Sequence, residues 1–128
     1  MYKSRIKVRG YELDSYGHVN NAVFLNYFEQ ARWELFQNKG LLDQITSQGL
    51  FLVVVEINIR YQHEAKLGDE VEILTIVKKE DPFIIFDQRM KFVPGGNPVA
   101  RAGVRTVFVD AMRISHDIPS GLESVFNA

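Results

Sequence analysis

Hydrophobic and polar residues alternate at the start of the chain and through most of its second half, which is the pattern of β-strands. Ile6 and Val8 alternate with Lys7 and Arg9 and predict an opening strand over residues 5–14. Beyond residue 49, apolar residues become dense, and turn signals containing Gly or Pro divide them. Four further strands are therefore predicted, over residues 50–61, 70–79, 83–92 and 99–110. The unbroken apolar run 50–55 predicts that the first of these is buried.

Between the opening strand and the other four, apolar residues recur with the period of an α-helix. The residues at this spacing are Phe24, Tyr27, Phe28, Ala31 and Leu35. Asn20 or Asn21 suits the N-cap of the helix and Gly40 its C-cap, and residues 41–48 are predicted to be a linker. Other apolar residues lie outside this stripe, so we expect a sheet to wrap around the helix.

The order of these elements predicts the fold class. One strand, one long helix and four strands indicate an α+β fold, in which a five-stranded antiparallel sheet wraps around one long central helix. Residues 1–128 are predicted to form one domain. Strands of about ten residues leave long edges exposed, and pairing of two copies along an edge would cover them. A homodimer is therefore expected. Residues 112–128 show no clear pattern.

The composition excludes several classes of chemistry. Cysteine is absent, which excludes a disulfide, a cysteine nucleophile, a CxxC redox pair and a thiolate zinc site. With three histidines, no metal site is predicted. The chain has 15 Lys and Arg against 16 Asp and Glu, and its net charge of −1 does not favour nucleic acid as a partner. P-loop, Rossmann, zincin and nucleophile-elbow motifs are also missing from the sequence.

The hydropathy pattern predicts no membrane span and no export signal. The longest apolar run, residues 50–55, is far shorter than the roughly 20 residues that a spanning helix needs. The first residues lead into an alternating stretch, whereas a signal peptide would have an apolar block. The cytoplasm is the expected location.

The densest cluster of polar residues lies at positions 11–21, where the opening strand meets the helix. A helix N-terminus presents amide groups without intrahelical partners and carries a partial positive charge, so it can stabilise an oxyanion. Asp14, a few residues upstream, would supply a carboxylate that faces the same point. The alternative is that Asp14 only forms a turn or caps the helix.

The neighbours of Asp14 allow two interpretations each. His18, together with Asn20 and Asn21, would orient a water or a substrate, or would only hydrogen-bond to the backbone of a turn. Gly17 would belong to the site, or would simply permit a positive φ.

Polar residues on the predicted strands form a second group of candidates. Glu56 and Asn58 indicate either the polar face of an edge or interface strand, or the lining of a cleft. Basic residues would suit the phosphates of a nucleotide-like group, or would only cover solvated sheet faces; they are Arg60, Lys66, Arg89, Lys91, Arg101 and Arg105. Glu29 and Arg32, three apart on the helix, predict a surface ion pair, or would have a function in the site.

The polar cluster also resembles a known family. Residues 11–21 read YELDSYGHVNN, and with residues 24–32 they resemble hot-dog-fold acyl-CoA thioesterases of the 4-hydroxybenzoyl-CoA thioesterase type. Residues 59–61 and 65–71 resemble the second strand of that family and the turn after it, so the likeness spans residues 5–110. The most specific part is the pattern D-x-x-G-H-V-N-N, which begins at Asp14.

The resemblance implies functions for individual residues. Asp14 would be the catalytic carboxylate, attacking the thioester or activating water, with Gly17 and His18 in the same motif. The backbone N–H of Asn21 would polarise the thioester carbonyl. Residues expected to contact the substrate are Asn20, Ala22, Glu56, Asn58, Arg60 and Lys66.

The resemblance also implies a reaction and an assembly. An acyl-CoA or acyl-carrier-protein thioester would be hydrolysed to free acid and thiol, with no cofactor beyond the coenzyme A of the substrate. A homodimer, or a tetramer of two dimers, would place its clefts at the subunit interface, where Glu56 and Asn58 of one chain face Asp14 of the other. Two other functions stay open: a non-catalytic acyl-CoA sensor, and a hydroxyacyl-thioester dehydratase that pairs His18 with Asp14.

Overall fold

The structure is a computed structural model that describes residues 1–122. The elements follow in the order β1 (Tyr2–Lys7), a 3-10 turn (Gly10–Glu12), α1 (Asn21–Lys39), α2 (Leu41–Thr46), β2 (Leu50–Tyr61), β3 (Glu70–Glu80), β4 (Phe83–Val93), β5 (Pro98–Asp110) and β6 (Ser115–His116). The predicted long helix and five strands are confirmed. A sixth strand of two residues, too short to show a period in the sequence, is added to them.

The strands form one antiparallel sheet in the order β1-β3-β4-β5-β2, with β6 paired to β5 just beyond the start of β4. α1 packs on one face of this sheet, and its buried residues form the core together with those of the central strands. A polar contact crosses this interface: the side chain of Gln88 on β4 donates a hydrogen bond to the Phe28 carbonyl at 3.0 Å. We call the opposite side of the sheet the outer face.

α1 begins and ends where the sequence predicted. Asn20 is the N-cap, because its side-chain oxygen accepts a hydrogen bond from the Ala22 amide at 2.9 Å. Gly40 follows Lys39 with a φ of 62°, a left-handed conformation that glycine adopts without steric cost. The apolar stripe predicted from the period is buried, together with Arg32.

Two predictions of local structure are wrong. The opening strand ends at Lys7 and does not reach residue 14, because the chain turns at Gly10–Glu12. There the Glu12 carboxylate accepts a hydrogen bond from the Arg9 amide at 2.8 Å, a local contact that an extended strand cannot make. Residues 41–48 are more than a linker, since Leu41–Thr46 form α2 and bury Leu41 and Ile45 against the core.

β2 lies at an edge of the sheet, so the prediction of a buried strand is also wrong. Its apolar side chains are between 38% and 52% exposed at Phe51, Val53, Val54, Val55 and Ile57. Among the residues described, β2 pairs with β5 on one side only. Its other side is a long apolar edge, which is the kind of surface that proteins normally cover.

A β-bulge in β2 decides which of its residues face α1. The pairing with β5 shifts between Val54 and Glu56, so Val55 is an extra residue. The bulge reverses the alternation of side chains along β2. A residue before the bulge and a residue after it therefore share a face of the sheet when they are an odd number of positions apart in the chain. The polar residues Glu56, Asn58 and Arg60 consequently lie on the outer face, paired with Arg105, Gly103 and Arg101.

Candidate active site

A compact loop, residues 13–20, leads from the 3-10 turn into α1. Leu13 and Val19 form an isolated antiparallel bridge, and the Val19 amide donates to the Ala65 carbonyl at 2.8 Å. The Asn20 amide donates to the Glu12 carbonyl at 3.0 Å. Because both ends of the loop are anchored, Asp14 has a defined position relative to the start of α1.

Asp14 is half-buried, and one of its carboxylate oxygens organises the loop. Oδ1 accepts hydrogen bonds from the amides of Tyr16 at 2.9 Å and His18 at 3.1 Å. Gly17, with a φ of 79°, allows the chain to reverse between them. Oδ2 has no hydrogen-bond or ion-pair partner within residues 1–122. The turn function that the sequence allowed is therefore present, but it uses one oxygen and leaves the other for water or a substrate.

One amide at the start of α1 has no acceptor in the part of the chain that is described. The side chain of Asn20 occupies the Ala22 N–H, and the Asn20 carbonyl accepts the amides of Val23 and Phe24. Among residues 1–122 the Asn21 N–H has no hydrogen-bond partner, and it lies at the positive end of a 19-residue helix. Such an amide can donate to a carbonyl oxygen on which negative charge develops.

Tyr61, at the end of β2, holds the start of α1 from the sheet side. Its hydroxyl donates a hydrogen bond to the Asn21 carbonyl at 2.9 Å, and its ring meets that of Phe24 edge-on, with 5.5 Å between centroids. Sequence analysis did not single out Tyr61 for this function, because the contact joins residues 40 positions apart. The signal available in the sequence was that Tyr61 falls on the apolar side of the alternation in β2, but the bulge obscures that alternation.

A buried network under the loop was also missed. Glu12 is almost fully buried and accepts hydrogen bonds from Arg9 Nη2 at 2.8 Å and from the Tyr27 hydroxyl at 2.7 Å. Burial raises the pKa of the Glu12 carboxyl, but the hydrogen bonds from Arg9 and Tyr27 outweigh burial and bring the pKa below its ordinary value. Burial and the bond to Glu12 raise the pKa of Tyr27. The network thus attaches the loop to α1 through an ionised carboxylate.

His18 is held by its backbone amide, which donates to Asp14 Oδ1, and its ring lies near Glu64. The ring atom Nε2 lies 4.0 Å from Glu64 Oε2, and Glu64 Oε1 lies 4.0 Å from Lys66 Nζ. His18 and Lys66 form an isolated backbone bridge, so Lys66 lies beside the loop. Within the described residues no hydrogen bond or ion pair joins the His18 ring to the Asp14 carboxylate, the two groups that a dehydratase would use.

An apolar cavity of about 400 Å³ lies between α1, α2 and the first half of β2. Its lining includes Trp33, Phe36, Leu52 and Phe86, and Arg32 reaches its wall. The Arg32 guanidinium is buried and donates to the Gln88 side chain at 3.0 Å, and burial lowers its pKa.

The predicted surface ion pair between Glu29 and Arg32 is wrong, because the Arg32 side chain turns into the protein toward Gln88 on β4. Glu29 stays exposed at the rim of the apolar cavity. Across residues 1–122, no three His, Cys, Asp or Glu side chains gather as a metal site would require. No helix in this part of the chain is both long and apolar enough to cross a membrane.

Comparison with known proteins identifies the family. The family model described as thioesterase-like superfamily matches residues 8–126. The long-chain acyl-CoA thioesterase FadM of Escherichia coli strain K12 is 38% identical over 109 residues, which cover 84% of this chain and 83% of FadM. The chloroplastic acyl-acyl carrier protein thioesterase ATL3 of Arabidopsis thaliana is 29% identical over 127 residues, covering 98% of this chain and 67% of ATL3.

A solved structure supports the same family. The crystal structure of YbaW, a probable thioesterase from Escherichia coli, matches with a TM-score of 0.90 and 33% identity, covering 98% of this chain and 96% of YbaW. The resemblance seen from Asp14 to Asn21, and the hot-dog fold that it implied, are confirmed. The chain belongs to the thioesterase-like superfamily.

Proposed function

We propose that the protein hydrolyses acyl-CoA thioesters to the free acid and coenzyme A, with Asp14 as the catalytic carboxylate and the Asn21 amide as the donor to the thioester oxygen. One observation carries the proposal: a single anchored junction contains a carboxylate oxygen and a helix N-terminal amide that both lack partners within residues 1–122. The similarity to FadM supports coenzyme A as the thiol.

Asp14 has two routes to hydrolysis. As a nucleophile, Oδ2 attacks the carbonyl carbon, the C–S bond breaks, the thiolate takes a proton from water, and water hydrolyses the mixed anhydride. As a general base, Oδ2 takes a proton from the attacking water and that proton ends on the departing thiolate. In both routes negative charge develops on the carbonyl oxygen, where the Asn21 N–H acts. A thiol with a pKa of about 8.5 leaves readily, so no strong acid is needed.

The apolar cavity suits the alkyl part of a long acyl group, the substrate class that the name of FadM gives for that protein. It lies beside residues 50–52 at one end of β2, whereas Tyr61 and the Asn21 amide lie at the other end. Antiparallel pairing of two copies through β2 would bring these ends together. In such a homodimer, the thioester binds at Asn21 of one chain and the alkyl chain enters the cavity of the other.

Two substitutions of Asp14 test the catalytic proposal. Asp14→Asn keeps an Oδ1 acceptor for the Tyr16 and His18 amides, so the loop and the melting temperature should stay near those of the wild type. It removes the ionised carboxylate, and we expect kcat for a long-chain acyl-CoA, measured by thiol release, to fall about 100-fold or more.

Asp14→Ala serves as the comparison, since it removes both the charge and the acceptor that holds the loop. It should lose activity and some thermal stability together. If Asp14→Asn kept most of the wild-type kcat, Asp14 would be only a turn residue and the proposed mechanism would be wrong.

A second substrate class has support from ATL3, which is named as an acyl-acyl carrier protein thioesterase. The same acyl group presented on coenzyme A and on acyl carrier protein distinguishes the two. For the proposed acyl-CoA specificity, kcat/KM should be higher with coenzyme A, and a reversed preference would assign the enzyme to carrier-protein substrates.

A further inference from the structure

A small polar hollow lies on the outer face of the sheet, where β2 ends. Its volume is about 330 Å³, and its walls are Asn58, Arg60, Gln62, Arg101 and Gly103. We call it the basic hollow. It lies one residue along β2 from Tyr61, which holds the start of α1 on the other side of the sheet.

Gly103 forms the floor of the basic hollow. A Cβ built on Gly103 meets no atom within 4 Å, and its φ is outside the left-handed region, so the backbone itself does not require glycine. Gly103 lies opposite Asn58 on β2 and Asp87 on β4. Because Gly103 has no side chain, open space lies above it on the outer face, between Asn58 and Asp87.

Two arginines stand directly opposite each other beside this space. Arg60 on β2 pairs with Arg101 on β5, and like charges at opposed positions destabilise a sheet. The guanidinium of Arg60 and the side-chain amides of Asn58 and Gln62 have no hydrogen-bond partners among residues 1–122. Three side chains with unused donors thus surround the basic hollow.

Asp87 holds the neighbouring basic groups without neutralising them. Its Oδ2 lies 3.3 Å from Lys78 Nζ, 3.3 Å from Arg101 Nη2 and 3.7 Å from Arg89 Nη2. Its buried Oδ1 has no hydrogen-bond partner. With Arg60 included, four positive charges stand against one negative charge, so this part of the outer face is strongly positive.

From these features we infer that the basic hollow binds a phosphate group. A phosphate accepts paired hydrogen bonds from a guanidinium and further bonds from side-chain amides, which are the donors that Arg60, Arg101, Asn58 and Gln62 present. Its negative charge would remove the repulsion between the two arginines. The space above Gly103 gives it room at the same point.

Two sources would supply such a phosphate. Coenzyme A carries a diphosphate and a 3′-phosphate, and with this source the inference rests on the proposed function. The other source is a separate phosphorylated ligand, which would bind whether or not the protein hydrolyses acyl-CoA. The chemistry of recognition is the same, so the experiment has to tell the sources apart.

The test compares Arg60→Gln/Arg101→Gln with the control Lys39→Gln/Arg113→Gln, which also loses two positive charges but away from the basic hollow. Each is assayed with an acyl-CoA and with the same acyl group on N-acetylcysteamine, a thiol without phosphate. We expect KM for acyl-CoA to rise about tenfold in the first variant, as loss of a charge-assisted hydrogen bond predicts, with no change for the shorter thioester. The control should match the wild type with both substrates.

Calorimetric binding of adenosine 3′,5′-bisphosphate provides a measurement that does not depend on hydrolysis. Arg60→Gln/Arg101→Gln should bind it at least tenfold more weakly than the wild type, and Gly103→Val, which fills the space without changing charge, should do the same. Weaker binding with an unchanged KM for acyl-CoA would assign the basic hollow to a separate ligand. If neither the KM nor the binding of the bisphosphate changes in these variants, the inference is overturned, even if thioesterase activity is present.

Discussion

Glu12 and Asp14 are two residues apart in the chain, and their carboxylates have different surroundings. Asp14 is half-buried and uses one oxygen for backbone amides, while its other oxygen has no hydrogen-bond or ion-pair partner among residues 1–122. Glu12 is buried, and both of its oxygens accept hydrogen bonds: Oε1 from Arg9 and the Tyr27 hydroxyl, and Oε2 from Arg9. Glu12 therefore contributes to stability, and Asp14 has the geometry for chemistry.

The network around Glu12 makes a prediction about pH. Because the pKa of Glu12 in the folded protein is below its ordinary value of 4.5, its ionised form stabilises the fold above that pH, and this contribution disappears as the pH falls through the folded-state pKa. Glu12→Gln should cost about 1–3 kcal/mol at neutral pH, since hydrogen bonds to a charged group are lost.

The measurement is urea unfolding of the wild type and Glu12→Gln at pH 7 and at about pH 3. The difference in unfolding free energy between the two proteins should shrink on acidification. Tyr27→Phe is the matched control, because it removes one hydrogen bond and keeps the titrating carboxylate. A difference between wild type and Glu12→Gln that does not vary with pH would contradict the assigned ionisation.

At the scale of elements, the site depends on where α1 begins. The N-cap Asn20 satisfies the Ala22 amide, while the Asn21 amide, the proposed donor to the thioester oxygen, has no acceptor among residues 1–122. The Glu12 carbonyl and the Tyr61 hydroxyl hold this junction from two sides. A cap, a loop and a strand end therefore act together on one turn of helix.

Substitution of the N-cap tests this arrangement. Asn20→Ala should destabilise the protein by about 1 kcal/mol, measured by urea unfolding, because the Ala22 amide loses its acceptor. It should also lower kcat, since the first turn of α1 becomes less ordered. Asn20→Asp keeps an acceptor at the same place and should retain most of the stability. Equal losses in both variants would show that the cap is not what matters at this position.

At the scale of the whole molecule, the apolar edge of β2 is a surface that residues 1–122 leave uncovered. The bulge at Val55 turns the polar side chains of β2 to the outer face and leaves apolar ones along the edge. A second copy paired along β2 would extend the sheet and bury this surface. The proposed sharing of the apolar cavity between subunits follows from the same pairing.

Charges placed on the edge should separate the subunits. Val53→Lys/Val55→Lys is expected to shift the protein from dimer to monomer in sedimentation velocity and to reduce kcat/KM for a long-chain acyl-CoA by at least tenfold, because the cavity and the Asn21 amide no longer meet. Leu67→Lys/Met112→Lys changes two exposed apolar residues that are not part of β2 and should remain dimeric. A wild type that sediments as a monomer, or an unchanged dimer in the edge variant, would refute pairing through β2.

Features that depend on local periodicity and local chemistry could be predicted from the sequence. The period of α1, its caps at Asn20 and Gly40, the five main strands and the motif from Asp14 to Asn21 could all be predicted, because neighbouring residues alone produce these patterns. The family likeness follows from the same local segments.

Features that depend on contacts between distant segments became visible in the folded structure alone. Burial of Arg32 against Gln88, the bond from Tyr61 to the Asn21 carbonyl, and the meeting of Arg60 with Arg101 join residues far apart in the chain. The exposed edge of β2 and the effect of the Val55 bulge were likewise invisible, since an apolar run has the same pattern whether a strand is central or at an edge. These features were not predictable because the contacting residues are far apart in the chain. Periodicity indicates which residues share one face of a helix or strand, but not which other segment packs against that face.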